Sequence, residues 1–339
     1  MNFASIFEAS VPLGDLERHL VVLAIAASLD YFIGDPWGLP HPVQAIGAAI
    51  ARSVRLILAR WNCDRTRRLA GIVLAIAIVL GSGAIAWGIV TIADRISVPL
   101  GIALESILLA SCFAARSLRM AAEDVIEPLM ANDTIAARER LRHYVGRDTQ
   151  NLSKSEILRA VLETVSENAT DGMMAPLFYA IVGAFLPTGS VAIAMAYKAV
   201  STLDSTIGYR EQPYTDLGWF SARSDDLLTW LPCRLTVASV GVIGGKPRYV
   251  WQRCRQDAIA DSSPNASWSE CAYAVVLNVR LGGTNWYRGT AKPKPLLGDP
   301  IEAISPLKIR QALQLTRYCV LSWLGITIAL GIIVARLSV

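Results

Sequence analysis

Glu163, Glu167 and Asp171 recur at intervals of four residues, with Arg159 one turn earlier. On a regular helix these side chains stack along one face. Three acids in one row repel each other by roughly 0.3 kcal/mol per neighbouring pair. A bound cation relieves that repulsion, and an all-oxygen ligand set suits a hard ion such as Mg²⁺. A plain solvated face is the competing reading. Downstream, Lys198, Asp204, Arg210, Arg223, Asp225, Asp226 and Arg234 crowd into or beside apolar sequence. Charges there are expensive to bury unless paired, metal-bound or facing water. Acids that hold a metal, together with fixed cations that hold phosphate, suit nucleotide chemistry in a polar site set against a membrane.

Each candidate has a structural alternative. Lys198 either snorkels from a helix end or offers an ammonium to phosphate. Asp225 and Asp226 diverge by about 100° on a helix, so they take different partners, one a metal and the other Arg223; acids at a helix start also serve as ordinary caps. Arg234, just after Pro232 in an apolar run, calls for a buried anion or carboxylate. Asp35 and His41 sit in GDPWGLPHPV, where two glycines and three prolines forbid a helix. His41 there either stabilises the turn or contacts a phosphate or substrate. Glu105, an acid within a span, either acts in the site or hydrogen-bonds to a neighbouring helix. Gly244-Gly245-Lys246-Pro247 lacks the spacing of a phosphate loop.

The elements that must hold these residues are set by hydropathy. Of 339 residues, 53% are hydrophobic and 18% charged, which places the chain in the membrane class. The chain is read as one mainly α, polytopic integral membrane domain over 1–339, with transmembrane helices, re-entrant or broken helices and cytoplasmic helical segments. Spans are expected near 13–33, 69–93, 98–115, 174–200, 227–245 and 317–335. The run 174–200 is interrupted at Pro187-Thr188-Gly189 and either breaks or re-enters. Basic residues put 42–68, 116–172 and 246–316 on the cytoplasmic side. Ser153 followed by Glu156 reads as a capping box opening the helix of the acidic row. A helical pattern after Ser263-Pro264-Asn265 is expected to end at Gly282-Gly283.

Composition also excludes. The net charge of +4 is modest and lies in loops, no nucleic-acid motif accompanies it, and no nucleic-acid partner is expected. Six scattered cysteines without C-x-x-C read as small buried thiols, not a disulfide framework or a zinc site. The acidic N-terminal stretch does not read as a standard cleaved signal peptide.

Five motifs in order, LDYFIGDPWGLPHPVQAIG, ENATDGMMAPLF, YKAVSTLDSTIGYR, SARSDDLLTWLPCRLT and SPNASWSE…LGG, resemble the CobD/CbiB family of cobalamin biosynthesis, the membrane-bound adenosylcobinamide-phosphate synthases. The resemblance covers most of the chain. It implies an ATP- and Mg²⁺-dependent ligase joining adenosylcobyric acid to aminopropanol or aminopropanol phosphate. It also implies a bacterial inner-membrane location, a site facing the cytoplasm, and contact with other membrane enzymes of the pathway. On that basis Glu163, Glu167, Asp171 and one of Asp225 and Asp226 are expected to bind Mg²⁺. Lys198, Arg223 and Arg234 would hold phosphates, and Asp204 or His41 would deprotonate the amine, with Asp35 beside His41. Asn168, Arg210, Ser263 and Asn265 would contact substrate or nucleotide. The rival class is a membrane transporter or channel with an intramembrane charged site, for which charges and broken helices are equally expected.

Overall fold

The computed structural model describes residues 13–34, 41–260 and 263–337. In chain order its helices are α1 (Leu13–Phe32), α2 (Pro42–Arg60), α3 (Asp64–Ile96), α4 (Val98–Ala110), α5 (Ala115–Met130), α6 (Thr134–Leu141) and α7 (Lys154–Asn168). A π-helical turn, Ala169–Met174, leads into α8 (Ala175–Ala184), α9 (Gly189–Ile207), α10 (Tyr214–Leu217), α11 (Trp219–Ile243), α12 (Pro247–Asp257) and α13 (Ala266–Leu277). The antiparallel strands β1 (Leu281–Tyr287) and β2 (Thr290–Leu297) precede α14 (Pro306–Leu337). Among the described residues, five stretches are long and apolar enough to cross a membrane: Pro42–Arg60, Asp64–Ile96, Val98–Met130, Trp219–Ile243 and Pro306–Val334. The protein is therefore a mainly α, polytopic membrane protein. The stretch 42–60, read from its arginines as a cytoplasmic helix, is among the five by length and composition, whereas α1, α8 and α9 are not. The chain forms two compact units, one of Met1–Ala114, Ala175–Leu228 and Ser322–Val339, the other of Ala115–Met174 and Thr229–Leu321.

In the first unit, α3 shows why hydropathy was so legible. Leu69, Val73, Leu80, Ile85, Ile92 and Ile96 all stand exposed, an outward apolar surface suited to lipid and not to water. Lipid provides no hydrophobic drive between helices, so close backbone approach must hold them. Gly71 and Gly83 supply it: a Cβ on Gly71 would lie 2.0 Å from the Leu217 carbonyl, and one on Gly83 would lie 3.0 Å from that of Ala192. Glu105, buried in α4, is held by Arg18 at 3.1 Å with His19 at 3.2 Å, while Arg18 also reaches Asp94 at 2.9 Å. Its neighbours come from α1, which is the structural alternative for that acid. The apolar run breaks at 185–188, between α8 and α9, where Pro187 and Gly189 (φ +78°) fall.

In the second unit, α7 opens with the capping box: the Ser153 Oγ accepts the Glu156 amide, and the Glu156 carboxylate accepts that of Ser153 at 2.8 Å. Its apolar face, including Ile157, Leu158, Val161, Leu162 and Val165, is buried. Past Asn168 the helix widens into the π turn. Ser269 of α13 donates to the Ser166 carbonyl at 2.5 Å and pairs with Thr170 at 2.8 Å, fixing the turn. The helix expected to run on to Gly282-Gly283 ends at Asn278 in the left-handed conformation, and a hairpin follows. Arg288 and Gly289 both have positive φ at its two-residue turn, matching the right-handed strand twist. At Gly282 (φ +85°) any Cβ would meet the Pro295 carbonyl at 1.8 Å, so glycine is required there.

Candidate functional site

The acidic row on α7 meets the hairpin. Glu163, 1% exposed, stands 2.6 Å from Arg147 and 3.0 Å from Arg159, and accepts the Gly282 amide at 2.9 Å. Arg159 donates onward to the Gly282 and Thr284 carbonyls, and Arg147 to the Asn285 amide oxygen. Glu163 is thus committed to two guanidiniums and a backbone amide. Beside it lies a fully buried acid from α13, Glu270, 2.5 Å from Lys294 of β2. Burial pushes the Glu270 carboxyl up to about 8, with Glu167 and Glu163 adding to the rise and Lys294 opposing it. Lys294 is itself held above the ordinary lysine value: burial lowers it, but Glu270 and Glu167 outweigh that. The Glu270 Oε2 oxygen has no hydrogen-bond partner among the described residues, leaving a buried acceptor or proton site beside a fixed cation.

Asp171 is the last acid of the row. It lies in the π turn that follows α7, and its charge is felt by Cys233. Among the described residues no group of three or more His, Cys, Asp or Glu side chains is gathered closely enough to hold a metal ion. The structure therefore brings Glu163 and Glu167 together with Glu270 and Lys294.

Arg234 corrects a second expectation. Among the described residues its partner is a neutral amide: it donates to the Asn265 Oδ1 at 2.7 Å and lies over Trp268 at 4.3 Å and Trp230 at 5.1 Å. Aromatic faces carry partial negative charge and solvate a guanidinium, so no carboxylate is needed. Asn265 is buried, and the Ser263 Oγ accepts the Asn265 and Ala266 amides at the start of α13. Asn168 donates its side-chain amide to the Thr164 carbonyl in its own helix.

In the first unit, Asp226 faces Arg223 and Arg210, whereas Asp225 faces Tyr179, which stacks on Tyr197 at 4.6 Å. The two aspartates thus take different partners, as their 100° divergence requires. Lys198 lies within electrostatic range of Cys112. The Asp204 carboxylate packs against Gly208, where a Cβ would sit 1.9 Å from it. His41 caps α2, its Nδ1 accepting the Val43 amide at 3.3 Å. Asp35 lies outside the described residues.

Sequence reasoning missed Arg147, Glu270 and Lys294. Glu270 closes the SPNASWSE motif and was within reach as a charge in an otherwise apolar helix. Arg147 and Lys294 carried no periodic signal, because each depends on a hairpin that two prolines, Pro293 and Pro295, disguise.

Residues 23–316 match the family described as CobD/Cbib protein. The chain is 48% identical over 323 residues to "Cobalamin biosynthesis protein CobD" of Synechocystis sp., covering 94% of each chain. It is 36% identical over 318 residues to the protein of that name in Halalkalibacterium halodurans, covering 92% of this chain and 97% of the relative. It is 39% identical over 320 residues to "Cobalamin biosynthesis protein CbiB" of Salmonella typhimurium, covering 93% and 97%. No solved structure matches. With five motifs in order and a family match across nearly the whole chain, this protein belongs to the CobD/Cbib family.

Proposed function

We propose that this protein acts in cobalamin biosynthesis as an ATP- and Mg²⁺-dependent ligase. It would join the propionate carboxyl of adenosylcobyric acid to the amine of 1-amino-2-propanol or of its O-phosphate. The observation that carries the reading is the cluster in the second unit: the buried Glu163 and Glu270, paired with Arg147, Arg159 and Lys294, with the half-buried Glu167 beside them. Family membership and the names of the relatives supply the pathway.

The proposed chemistry has two balanced steps. The substrate carboxylate attacks the γ-phosphorus of ATP, forming an acyl phosphate and releasing ADP. The amine then attacks the acyl carbon, inorganic phosphate leaves, and the proton lost by the ammonium passes to a base. Catalysis of this kind is mostly positioning and neutralisation of developing charge. Mg²⁺ bound with the nucleotide would supply charge neutralisation at its phosphates and would need one or two protein carboxylates, not an all-protein cage. The acids fit that limited demand: Glu167 and Asp171 are the proposed contacts, with one of Asp225 and Asp226 as the alternative. Arg210 and Arg223, with Lys198, are proposed to bind the O-phosphate of the amine where it carries one, and Asp204 or His41 to take the ammonium proton. The location proposed is the bacterial inner membrane, with the site facing the cytoplasm and other membrane enzymes of the pathway as partners.

The test is to incubate the purified protein in detergent with adenosylcobyric acid, aminopropanol phosphate and ATP–Mg²⁺ and weigh the corrinoid product. The reading expects the combined mass of acid and amine less one water, with ADP formed in step. A transporter forms no new bond, and an unchanged corrinoid mass would remove the ligase.

A further inference from the structure

We propose that the cleft between the 142–152 segment and the tip of the β1–β2 hairpin binds a nucleoside polyphosphate, with Trp286 against the base and Arg142 and Arg288 against the phosphates. The inference deepens the ligase reading and rests on it for the nucleotide's identity. The cleft holds about 950 Å³ and belongs wholly to the second unit. That volume lies within the range of small-molecule sites, roughly 300–1,000 Å³.

Its lining is polar in a specific way. Arg142, Arg147 and Arg288 bring three guanidiniums to one cavity. The two acids in the wall are turned to other work. Asp148 accepts the Arg288 amide at 3.0 Å and the Gly289 amide at 2.8 Å, and Glu156 accepts the Ser153 amide and hydroxyl in the capping box. Asp148 also donates its own amide to the Trp286 carbonyl at 2.7 Å, so the hairpin tip is fastened to the loop at three points. Trp286 is half exposed on this fastened tip, which makes its ring a preset stacking surface. Arg147 forms the back wall and continues to Glu163, placing the cleft next to the acid set described above.

A belt tryptophan with arginines could instead meet lipid headgroups. The concavity of the site favours a discrete ligand, and the test separates the two. Full-length protein in detergent is photolabelled with azido-ATP, and the labelled peptides are mapped. Label is expected on 142–152 or 286–289 and is expected to be competed by ATP. Trp286→Ala is expected to weaken ATP binding about tenfold while Trp286→Phe retains it, since stacking contributes roughly 1–3 kcal/mol per base. Arg142→Ala and Arg288→Ala should weaken binding and lessen its salt dependence. Competition as strong by inorganic phosphate or anionic-lipid vesicles as by ATP overturns the assignment. Label elsewhere, with ligation intact, overturns the cleft but leaves the ligase reading standing. Absence of both nucleotide binding and ligation removes the ligase reading, and the cleft with it.

Discussion

The fully buried Glu270 carboxylate stands 2.5 Å from the half-buried Lys294 ammonium, joining α13 to β2. Burial lifts this acid from 4.5 to about 8, so the folded protein binds a proton there that the unfolded chain releases. A raised acid stabilises the fold at low pH, and the contribution is lost as pH rises between those two values. Thermal unfolding in detergent should therefore fall in midpoint from about pH 4.5 to about pH 8. Glu270→Gln should flatten that slope; an identical slope in the variant would show that another group sets it.

Glu163 fastens α7 to the hairpin through Arg147, Arg159 and the Gly282 amide. Glu163→Ala leaves two largely buried guanidiniums without their partner, a loss of about 3 kcal/mol. It should also free the Gly282 amide, whose hydrogen exchange is expected to quicken by about tenfold, the equivalent of one lost hydrogen bond. Unchanged protection at Gly282 would show that the hairpin is held by other contacts.

Glu167 stays in the row with Glu163, faces Glu270 and Lys294, and is only partly buried. Its proposed role is chemical. Glu167→Gln should abolish amide formation while leaving the unfolding midpoint of the detergent-solubilised protein unchanged. Near-normal turnover would take Glu167 out of the catalytic set.

Two glycines of α3 offer a paired test of packing in the first unit. A Cβ at Gly71 would collide with the Leu217 carbonyl at 2.0 Å, whereas nothing lies within 4 Å of one at Gly81. Gly71→Ala should cost about 1–3 kcal/mol by overpacking. Gly81→Ala should be neutral or raise stability by up to about 1 kcal/mol through helix propensity. Equal unfolding midpoints for the two variants would contradict the close approach of α3 to α10.

What the sequence made legible follows from period and cost. The long apolar helices, the capping box of Ser153 and Glu156 and the break before Gly189 each rest on local rules that tertiary context left intact. The acidic row was legible as far as Glu167. The π turn that carries Asp171 was not legible, since one widened turn leaves no mark on composition. Arg234 was rightly singled out as a costly charge, but its partners, Asn265, Trp230 and Trp268, lie on segments whose proximity only the fold supplies. The β1–β2 hairpin was missed because Pro293 and Pro295 interrupt a strand pattern, and Lys294 was missed with it.

Tracing oxygen through the reaction tests the central claim most directly. Adenosylcobyric acid carrying oxygen-18 in its propionate carboxyl is incubated with the amine, ATP–Mg²⁺ and the purified protein. ATP-driven activation of that carboxyl predicts amide product together with oxygen-18 in the released inorganic phosphate. Amide product with unlabelled phosphate, or no amide product at all, contradicts the account.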